Sequence, residues 1–268
     1  MKRISITIRP LNNYLEYVAC EKMQTDVFEY APLEVIPYQL LQSFALSGGI
    51  VIGAFDDESL VGAVIGYVGL LSDGTPYHRS QRMMVLPQYR NKGIGEMLKR
   101  AQAADARAKG LHLMCWTFDP LRTLNAHLNL HKLAVTSRRY IPDAYASTSS
   151  LRDAGLPIDR LWVEWDLAAD TSAQNDDITD DRREVVLHNL NDEPGNPVAN
   201  SEAATIVIQI PASIDEWRAS RTELAGKWRA TTRLSFTHYF ALGYRAVDYI
   251  HGEGYLLRRR GRTAPAAK

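Results

Sequence analysis

The chain has 268 residues, a length that suits one large domain or one domain with a smaller appendage. Hydrophobic residues make up 46% of it and charged residues 23%, which excludes wholesale disorder. The 31 lysines and arginines balance the 31 aspartates and glutamates, so the basic excess typical of proteins that bind a phosphate backbone is absent. Nucleic acid is therefore not an expected partner.

The two cysteines and the longest apolar run predict the cellular compartment of the protein. Cys20 and Cys115 lie far apart and outside any CxxC pair, which excludes a disulfide framework and a cysteine-rich zinc site. The longest apolar run, from Leu60 to Leu71, is well short of the roughly 20 residues that a membrane helix needs. We expect a cytoplasmic protein with no membrane partner.

The first 167 residues alternate between strand-like and helix-like patterns. Strands are predicted at Ile4–Pro10, Ile50–Phe55, Leu60–Tyr67, Arg82–Leu86, Leu111–Thr117, Ala134–Tyr140 and Arg160–Leu167. Helices are predicted at Asn13–Tyr30, Pro37–Leu46, Gly93–Ala108 and Leu121–Leu133. This alternation predicts an α/β (α+β) fold in which helices flank a mixed, mostly antiparallel sheet.

The rest of the chain divides into two further segments. Residues 168–204 are polar and acidic and are interpreted as a linker, with a short strand at Glu184–Leu187. The aspartates between Asp176 and Asp181 lack the fixed loop of a calcium site and are interpreted as a solvated charge run. Residues 205–268 form a smaller C-terminal extension of the α/β type, and 1–167 are the main domain.

The predicted elements of the extension follow a strand–helix–strand order. They are a strand at Thr205–Ile210, helices within Ile214–Leu242, and strands at Arg245–Ile250 and Gly254–Arg258. Gly243-Tyr244 ends the helical part before a strand. The extension is interpreted either as a degenerate half-domain or as an addition that completes the sheet or covers an acceptor site.

The stretch from Val85 to Gly95 is the most informative in the chain. A strand ends, the chain turns, and a helix begins with Gly93 and Gly95. The first N–H groups of a helix have no intrahelical partner and carry partial positive charge. Glycines allow a ligand to approach them closely, and Arg90 and Lys92 add positive charge, so phosphate is the natural guest.

Other phosphate motifs fit this turn less well. A dinucleotide fingerprint needs a third glycine or alanine near Leu98, and a P-loop needs a Gly-Lys-Ser/Thr ending, and neither is present. A plain strand–helix turn with glycines for close packing is the remaining alternative.

The run from Gln88 to Gly95 resembles the acetyl-CoA pyrophosphate loop of the GNAT acetyltransferase superfamily. The core of that motif, Gln/Arg-x-x-Gly-x-Gly/Ala, reads Arg90-Asn91-Lys92-Gly93-Ile94-Gly95 here. The order of predicted strands and helices from Ile4 to Leu167 also matches the family fold. Two further stretches, Trp116–Pro120 and Asn125–Leu130, resemble a branch of predicted acyltransferases in that superfamily.

The resemblance implies an acyl-CoA co-substrate, most simply acetyl-CoA, and an amine acceptor. In the family, the strand before the loop binds the pantetheine arm through its backbone, here around Met83 to Val85. The next strand splays away, and the thioester lies in the gap. The residues expected to bind the co-substrate are Met84, Val85, Arg90, Asn91, Lys92, Gly93, Ile94 and Gly95, together with Asn125 and Asn129.

Asn125 and Asn129 are included because of their position on the predicted helix. At 100° per residue they lie within about 40° of each other, inside an apolar arc. A buried amide without a partner costs on the order of 1–3 kcal/mol, so each needs a polar contact. The co-substrate is one source of that contact, and backbone carbonyls of a neighbouring strand are the other.

The chain departs from the family where the leaving thiolate would be protonated. The family has a tyrosine near the end of this helix, followed by a Gly-Phe pair, and Leu130 and Ala134-Val135 stand there instead. His131 and Tyr140 are the two candidates for the missing acid. An acid is also dispensable, since a thiolate is a tolerable leaving group near neutral pH.

The sequence therefore predicts an acyl-CoA-dependent N-acyltransferase with a small-molecule amine as acceptor and direct transfer in a ternary complex. No metal is expected, because His127 and His131 lack a third ligand. The alternative is a catalytically inactive, CoA-binding regulatory protein. A third hypothesis is a transferase for longer acyl chains, which Gly62, Ala63 and Gly66 would accommodate. A homodimer is left open.

Overall fold

The computed structural model describes residues 5–145, 157–169, 182–212, 214, 217 and 220–259. Its strands are β1 (Ile6–Pro10), β2 (Ile50–Asp56), β3 (Ser59–Leu70), β4 (Pro76–Val85), β5 (Leu113–Phe118), β6 (Thr136–Tyr145), β7 (Ile158–Asp166), β8 (Arg183–Leu187), β9 (Asn189–Leu190), β10 (Glu193–Pro194), β11 (Thr205–Ile208), β12 (Tyr244–Ile250) and β13 (Gly254–Arg259). Its helices are α1 (Tyr14–Phe28), α2 (Tyr38–Leu46), α3 (Ile94–Ala108), α4 (Thr123–Ala126) and α5 (Thr222–Ala241). The acidic run that ends at Asp181 lies outside the described residues.

Most predicted elements are confirmed, and two differ. β4 begins at Pro76 and not at Arg82, because its first half is polar and draws its order from pairing with β3. The helix predicted over 121–133 is a short α4 followed by a π-helical turn, His127–Lys132. Leu133 N–H bonds to Leu128 O at 3.0 Å, the five-residue spacing that defines a π-turn.

The chain divides into two compact units. Of the described residues, the first unit holds 5–116 and Glu164–Ala169, and the second holds all the others from Thr117 onward. The sequence-based boundary was placed at residue 167, and the division runs instead through β5 and β7. The cause is that β6 pairs with β12, a strand of the C-terminal extension.

In the first unit, the strands follow the order β1-β2-β3-β4-β5. All neighbours are antiparallel except β4 and β5, which are parallel. Ala63 and Ile65 of β3 face the core cluster that α1 and α2 cover. Gly62 faces the opposite side, where a Cβ would contact Leu98 and Ile94 of α3. Because side chains alternate along a strand, helices cover both faces of this sheet.

In the second unit, the order is β7-β6-β12-β13-β11-β8. β12 is antiparallel to β6 and to β13, β13 is antiparallel to β11, and β11 is parallel to β8. β12 joins β6 at Ala246 opposite Ser137. The extension therefore completes the sheet of this unit, which was one of the two roles predicted for it. The short strand predicted at Glu184–Leu187 is confirmed as β8.

Two ion pairs with buried carboxylates hold α5 in the second unit. Arg229 binds Asp119 with two hydrogen bonds of 2.8 and 3.0 Å, and both side chains are about 5% exposed or less. Arg233, one turn later, binds the fully buried Asp159 at 2.6 and 2.9 Å. The guanidinium group of each arginine binds its carboxylate through two hydrogen bonds, which fixes the orientation of α5 as well as its position.

The remaining expectations about the chain concern its cysteines and membranes. Cys20 and Cys115 are both fully buried, as small apolar side chains would be, and neither forms a disulfide bond. Over the described parts of the chain, no helix combines the length and apolarity that crossing a membrane requires.

Candidate acyl-CoA site

The turn between β4 and α3 has the geometry of an anion-binding loop. A 3₁₀ turn at Pro87–Tyr89 follows β4, and the chain then reaches Asn91 and Gly93, which both have positive φ, 61° and 77°. Gly93 is the N-cap of α3 and contributes no side-chain cap. The left-handed conformation at Gly93 explains the glycine, since a β-carbon is disfavoured there.

The first amides of α3 are available to a ligand. The first backbone bond of the helix runs from Met97 N–H to Gly93 O at 3.1 Å. The N–H groups of Ile94, Gly95 and Glu96 therefore have no partner within the helix. A Cβ built on Gly93 meets nothing within 4 Å, so the approach to these amides is open.

Basic side chains flank this opening, and contacts within the first unit hold the loop in place. Arg90 and Lys92 are exposed. Arg90 Nε donates to Val85 O at 3.3 Å, and Lys92 Nζ donates to Gln88 O at 2.9 Å. Tyr89 donates its hydroxyl to Asp56 at 2.7 Å. An ordered loop with free amides and two cations fits a diphosphate.

Next to the loop, β4 and β5 part from each other. Their parallel pairing is confined to His78 opposite Met114 and Arg79 opposite Cys115, and β4 continues to Val85 without β5. Leu86 N–H bonds to Val61 O at 3.0 Å on the β3 side. Because backbone groups alternate, those of Met84 also face β3, and those of Met83 and Val85 face the open side.

This alternation changes the expectation for the strand before the loop. Met84 is buried, and its backbone groups belong to the ladder with β3. Val85 and Met83 present theirs to the gap between β4 and β5. Met83 therefore replaces Met84 as the residue expected to bind an extended ligand arm through its backbone.

Asn125 and Asn129 lie in the second unit, on α4 and on the π-helical turn. Asn125 is half-buried, and Asn129 is 4% exposed. The backbone O of Asn129 accepts a bond from Val135 N–H at 3.1 Å, which closes the turn into β6. π-Turns are rare and frequent at functional sites. The role of the two amides toward a co-substrate stays a prediction.

His131 also lies on the π-helical turn. Its side chain is 48% exposed, and its Nδ1 is 3.1 Å from Asp248 Oδ1. The ring stacks on His127 with 4.7 Å between centroids, and His127 contacts His251 at 4.4 Å. His131 is therefore accessible and has a carboxylate beside it, as a residue that exchanges protons with solvent requires. Within the described residues, no three or more histidine, cysteine, aspartate or glutamate side chains are close enough together to bind a metal ion.

Tyr140 is placed differently. It is 8% exposed and donates its hydroxyl to Asp159 at 2.6 Å. Burial and the Asp159 charge raise the pKa of Tyr140 well above its ordinary value. A phenol that is already bonded to a buried carboxylate is a weak proton donor to anything else.

The three small residues of β3 do not line open space. A Cβ on Gly66 would lie 2.3 Å from Nε2 of His78, so the imidazole ring fills that place. A Cβ on Gly62 would meet Met84 O at 3.1 Å, and Ala63 is fully buried. These residues accommodate protein side chains and give no support to the hypothesis of a long acyl chain.

Sequence reasoning missed a polar cluster beneath α3. Lys99, Gln102, His78 and Ser80 are all at most 4% exposed. The signal was present, because Lys99 and Gln102 fall on the same helical face as the apolar Leu98 and Ala106. Long lysines on such faces normally extend to solvent, and this one does not.

The comparisons with known proteins agree with this geometry. The family model of the acetyltransferase (GNAT) domain matches residues 47–132. No curated protein matches the sequence.

Solved structures share the fold at low sequence identity. yncA of Salmonella typhimurium, solved with its cofactor acetyl-CoA, is 18% identical to this chain and superposes with a TM-score of 0.50. The match covers 62% of this chain and 96% of the yncA chain. The NatC complex bound to Gag peptide and CoA contains a chain that is 11% identical, with a TM-score of 0.50. The match covers 61% of this chain and 99% of the chain in the complex. NAA60 of Arabidopsis thaliana in complex with a bisubstrate analogue is 15% identical, with a TM-score of 0.50. The match covers 60% of this chain and 99% of the NAA60 chain.

The loop, the parted strands and the family match lie in the same part of the chain. Residues 47–132 therefore match the model of the GNAT acetyltransferase domain, and they include the loop and the strands that separate beside it.

Proposed function

We propose that the protein is an acyl-CoA-dependent N-acyltransferase, with acetyl-CoA as the simplest donor and a small amine as acceptor. The observation that carries this proposal is the open N-terminus of α3 beside two exposed cations. The amides of Ile94 and Gly95 would bind the diphosphate, and Arg90 and Lys92 would neutralise its charge. The backbone of Met83 and Val85 would hold the pantetheine arm.

The transfer proceeds without an acyl-enzyme. The acceptor nitrogen attacks the thioester carbonyl, a C–N bond forms, the C–S bond breaks, and the proton that nitrogen loses ends on the thiol of CoA. Cys115 is not a candidate nucleophile, because it is fully buried on β5. A backbone N–H at the open edge of β4 would stabilise the charge that develops on the carbonyl oxygen.

Glycine substitutions test the binding loop. Gly93→Asp and Gly95→Asp each place a carboxylate at the first turn of α3, where it repels phosphate. At Gly93 the substitution also adds a β-carbon at a φ of 77°, a strain that the control described below reproduces. We expect CoA affinity, measured by isothermal titration calorimetry, to fall about tenfold or more, about 1.4 kcal/mol. Gly74→Asp is the matched control, since Gly74 has a similar φ of 84° and equally open surroundings. Unchanged affinity in both folded loop variants would refute the proposal.

The candidate acids are separated by a second pair of variants. Tyr140→Phe removes a hydroxyl bonded to Asp159, so we expect lower stability with little change in kcat. His131→Gln removes an accessible proton carrier, and we expect kcat to fall by about 10²-fold if thiolate protonation limits the rate. Thiol release is measured over a panel of amines that includes a peptide N-terminus, because NatC binds a peptide. A large loss of kcat in Tyr140→Phe alone would reverse the assignment.

A second candidate function is CoA binding without catalysis. Leu130, which stands where the family has its acid, is 1% exposed and apolar. Tight CoA binding with no thiol release for any amine would support this regulatory function.

A further inference from the structure

The C-terminal extension supplies a carboxylate to His131. Asp248 of β12 lies 117 positions further along the chain, and its Oδ1 is 3.1 Å from Nδ1 of His131. Both residues belong to the second unit. The same Oδ1 accepts the backbone N–H of Tyr249 at 2.7 Å, which ties the carboxylate to its own strand. The oxygen that contacts the imidazole ring is therefore itself fixed in position.

A β-bulge accompanies Asp248 in β12. The pairing of β12 with β13 shifts register between Ala246 and Asp248, so β12 has one extra residue there. The bulge interrupts the alternation of the strand, and Asp248 is 6% exposed. Among the described residues, His131 is the only side chain that pairs with this carboxylate. A buried charge is costly unless it is paired, so the carboxylate depends on the imidazole ring for its partner.

The other histidine of the π-helical turn, His127, is not bonded to a carboxylate among the described residues. Its ring stacks on that of His131, and its Nδ1 has no hydrogen bond within the described parts of the chain. Burial lowers the pKa of His127, and three neighbouring basic side chains act in the same direction, those of His251, His131 and Lys132. A hydrogen bond with the backbone of Tyr249 acts against them. Of the two stacked rings, His131 is therefore the one that a carboxylate orients.

We propose that Asp248 is the positioning residue of the proton carrier His131, so that the C-terminal extension takes part in the transfer reaction. The inference rests on the proposed function, in which His131 protonates the leaving thiolate. Because the carboxylate accepts a hydrogen bond from Nδ1, it holds the neutral ring in the Nδ1–H tautomer and leaves Nε2 for the transferred proton. Nε2 has no partner among the described residues, and the side chain of His131 is half exposed.

The proton balance of the transfer follows from this arrangement. As the C–S bond breaks, protonated His131 gives its Nε2 proton to the thiolate of CoA. The neutral ring then takes up the proton that the acceptor nitrogen loses after the C–N bond has formed, and the imidazolium is restored. In both forms of the ring, Nδ1–H donates to Asp248, so the ring keeps one orientation through both steps.

Nuclear magnetic resonance of the wild-type protein tests the tautomer without any substrate. Ring nitrogen shifts in long-range proton–nitrogen correlation spectra distinguish Nδ1–H from Nε2–H imidazole. The spectrum of His131→Gln identifies the signals of His131 among the 7 histidines. We expect neutral His131 to carry its proton on Nδ1 in the wild-type protein, and on Nε2 in Asp248→Asn, whose amide donates to Nδ1. An Nε2–H ring in the wild-type protein would overturn the proposal.

Steady-state kinetics test the role of Asp248 in the reaction. With an amine that gives thiol release in the wild-type protein, we expect Asp248→Asn to lower kcat by about tenfold or more and to leave the KM for acetyl-CoA unchanged. A double variant with His131→Gln should be no slower than His131→Gln alone, because a positioning residue acts through its partner. Glu253→Gln is the matched control and should keep the wild-type kcat, since Glu253 is an exposed carboxylate of the same hairpin and pairs with Arg183.

The outcomes separate the two proposals. Wild-type thiol release together with an unchanged kcat in folded Asp248→Asn would overturn the role of Asp248 and leave the acyltransferase proposal standing. A double variant much slower than His131→Gln would overturn it as well, because Asp248 would then act through another group. Absence of thiol release from the wild-type protein with every amine would remove both proposals.

Discussion

At the scale of single residues, burial decides the protonation of the groups beneath α3. His78 lies under the helix with no hydrogen-bond partner among the described residues, and burial lowers its pKa to about 4. The neighbouring charge of Lys99 acts in the same direction. His78 is therefore held in its neutral form by the fold and not by its own chemistry.

The neutral state of His78 makes stability depend on pH. Between pH 6.5 and about 4, the unfolded chain binds a proton at this histidine and the folded protein does not, so stability falls as the pH falls through this window. The loss attributable to His78 reaches about 3 kcal/mol. Urea unfolding at several pH values, compared with His78→Leu, measures it. The same acid dependence in the variant would show that other groups cause the loss.

At the scale of elements, contiguous and dispersed features behave differently. The β4–α3 turn draws its anion-binding geometry from a few consecutive residues, with Gly93 as the cap. The π-helical turn depends on bonds that close it into β6, such as Val135 N–H to Asn129 O. α5 depends on its arginines, which reach carboxylates 74 and 110 positions away.

The Arg229–Asp119 pair provides the test at this scale. Arg229→Met leaves the carboxylate of Asp119 buried without its cation, which costs about 3–5 kcal/mol. We expect a correspondingly lower midpoint in urea unfolding. Lys227→Met is a suitable control, because Lys227 is exposed and its ion pair is with the exposed Glu223 one turn away. A loss below 1 kcal/mol for Arg229→Met would contradict the structural role given to the pair.

At the scale of the whole molecule, the C-terminal extension belongs to the second unit and does not form a separate domain. β12 pairs with β6, and Tyr255 donates its hydroxyl to Pro120 O at 2.6 Å. The order helix–strand–strand occurs twice in this unit, as the π-turn with β6 and β7 and as α5 with β12 and β13. This order is consistent with the degenerate half-domain considered from the sequence.

Truncation tests whether the second unit needs the C-terminal extension to fold. A chain of residues 1–204 lacks β11, α5, β12 and β13, so the β6 edge is exposed and Asp119 and Asp159 lose their arginines. We expect it to aggregate in size-exclusion chromatography, whereas residues 1–259 should elute like the full chain. A folded, monomeric 1–204 protein that binds CoA normally would show that the extension is dispensable.

The sequence predicted the β4–α3 turn and most strands and helices, because both are local. Period-two and helical patterns are readable in short windows, and the loop combines its glycines and cations within eleven residues, Val85 to Gly95. It predicted the catalytic candidates less well. Tyr140 was named for its chemistry, but its hydroxyl is bonded to Asp159, a partner 19 positions away.

The sequence by itself determined the β4–α3 turn to which we assign the diphosphate, since backbone amides at a strand-to-helix turn need only a few neighbouring residues to be oriented. Only the tertiary structure decided where β4 and β5 part, and that Lys99 lies between Ser80 and Trp116 at that point. Strand pairing and burial arise from contacts between distant segments, and a lysine on a helix carries no local sign of whether its amine reaches solvent or a closed polar site.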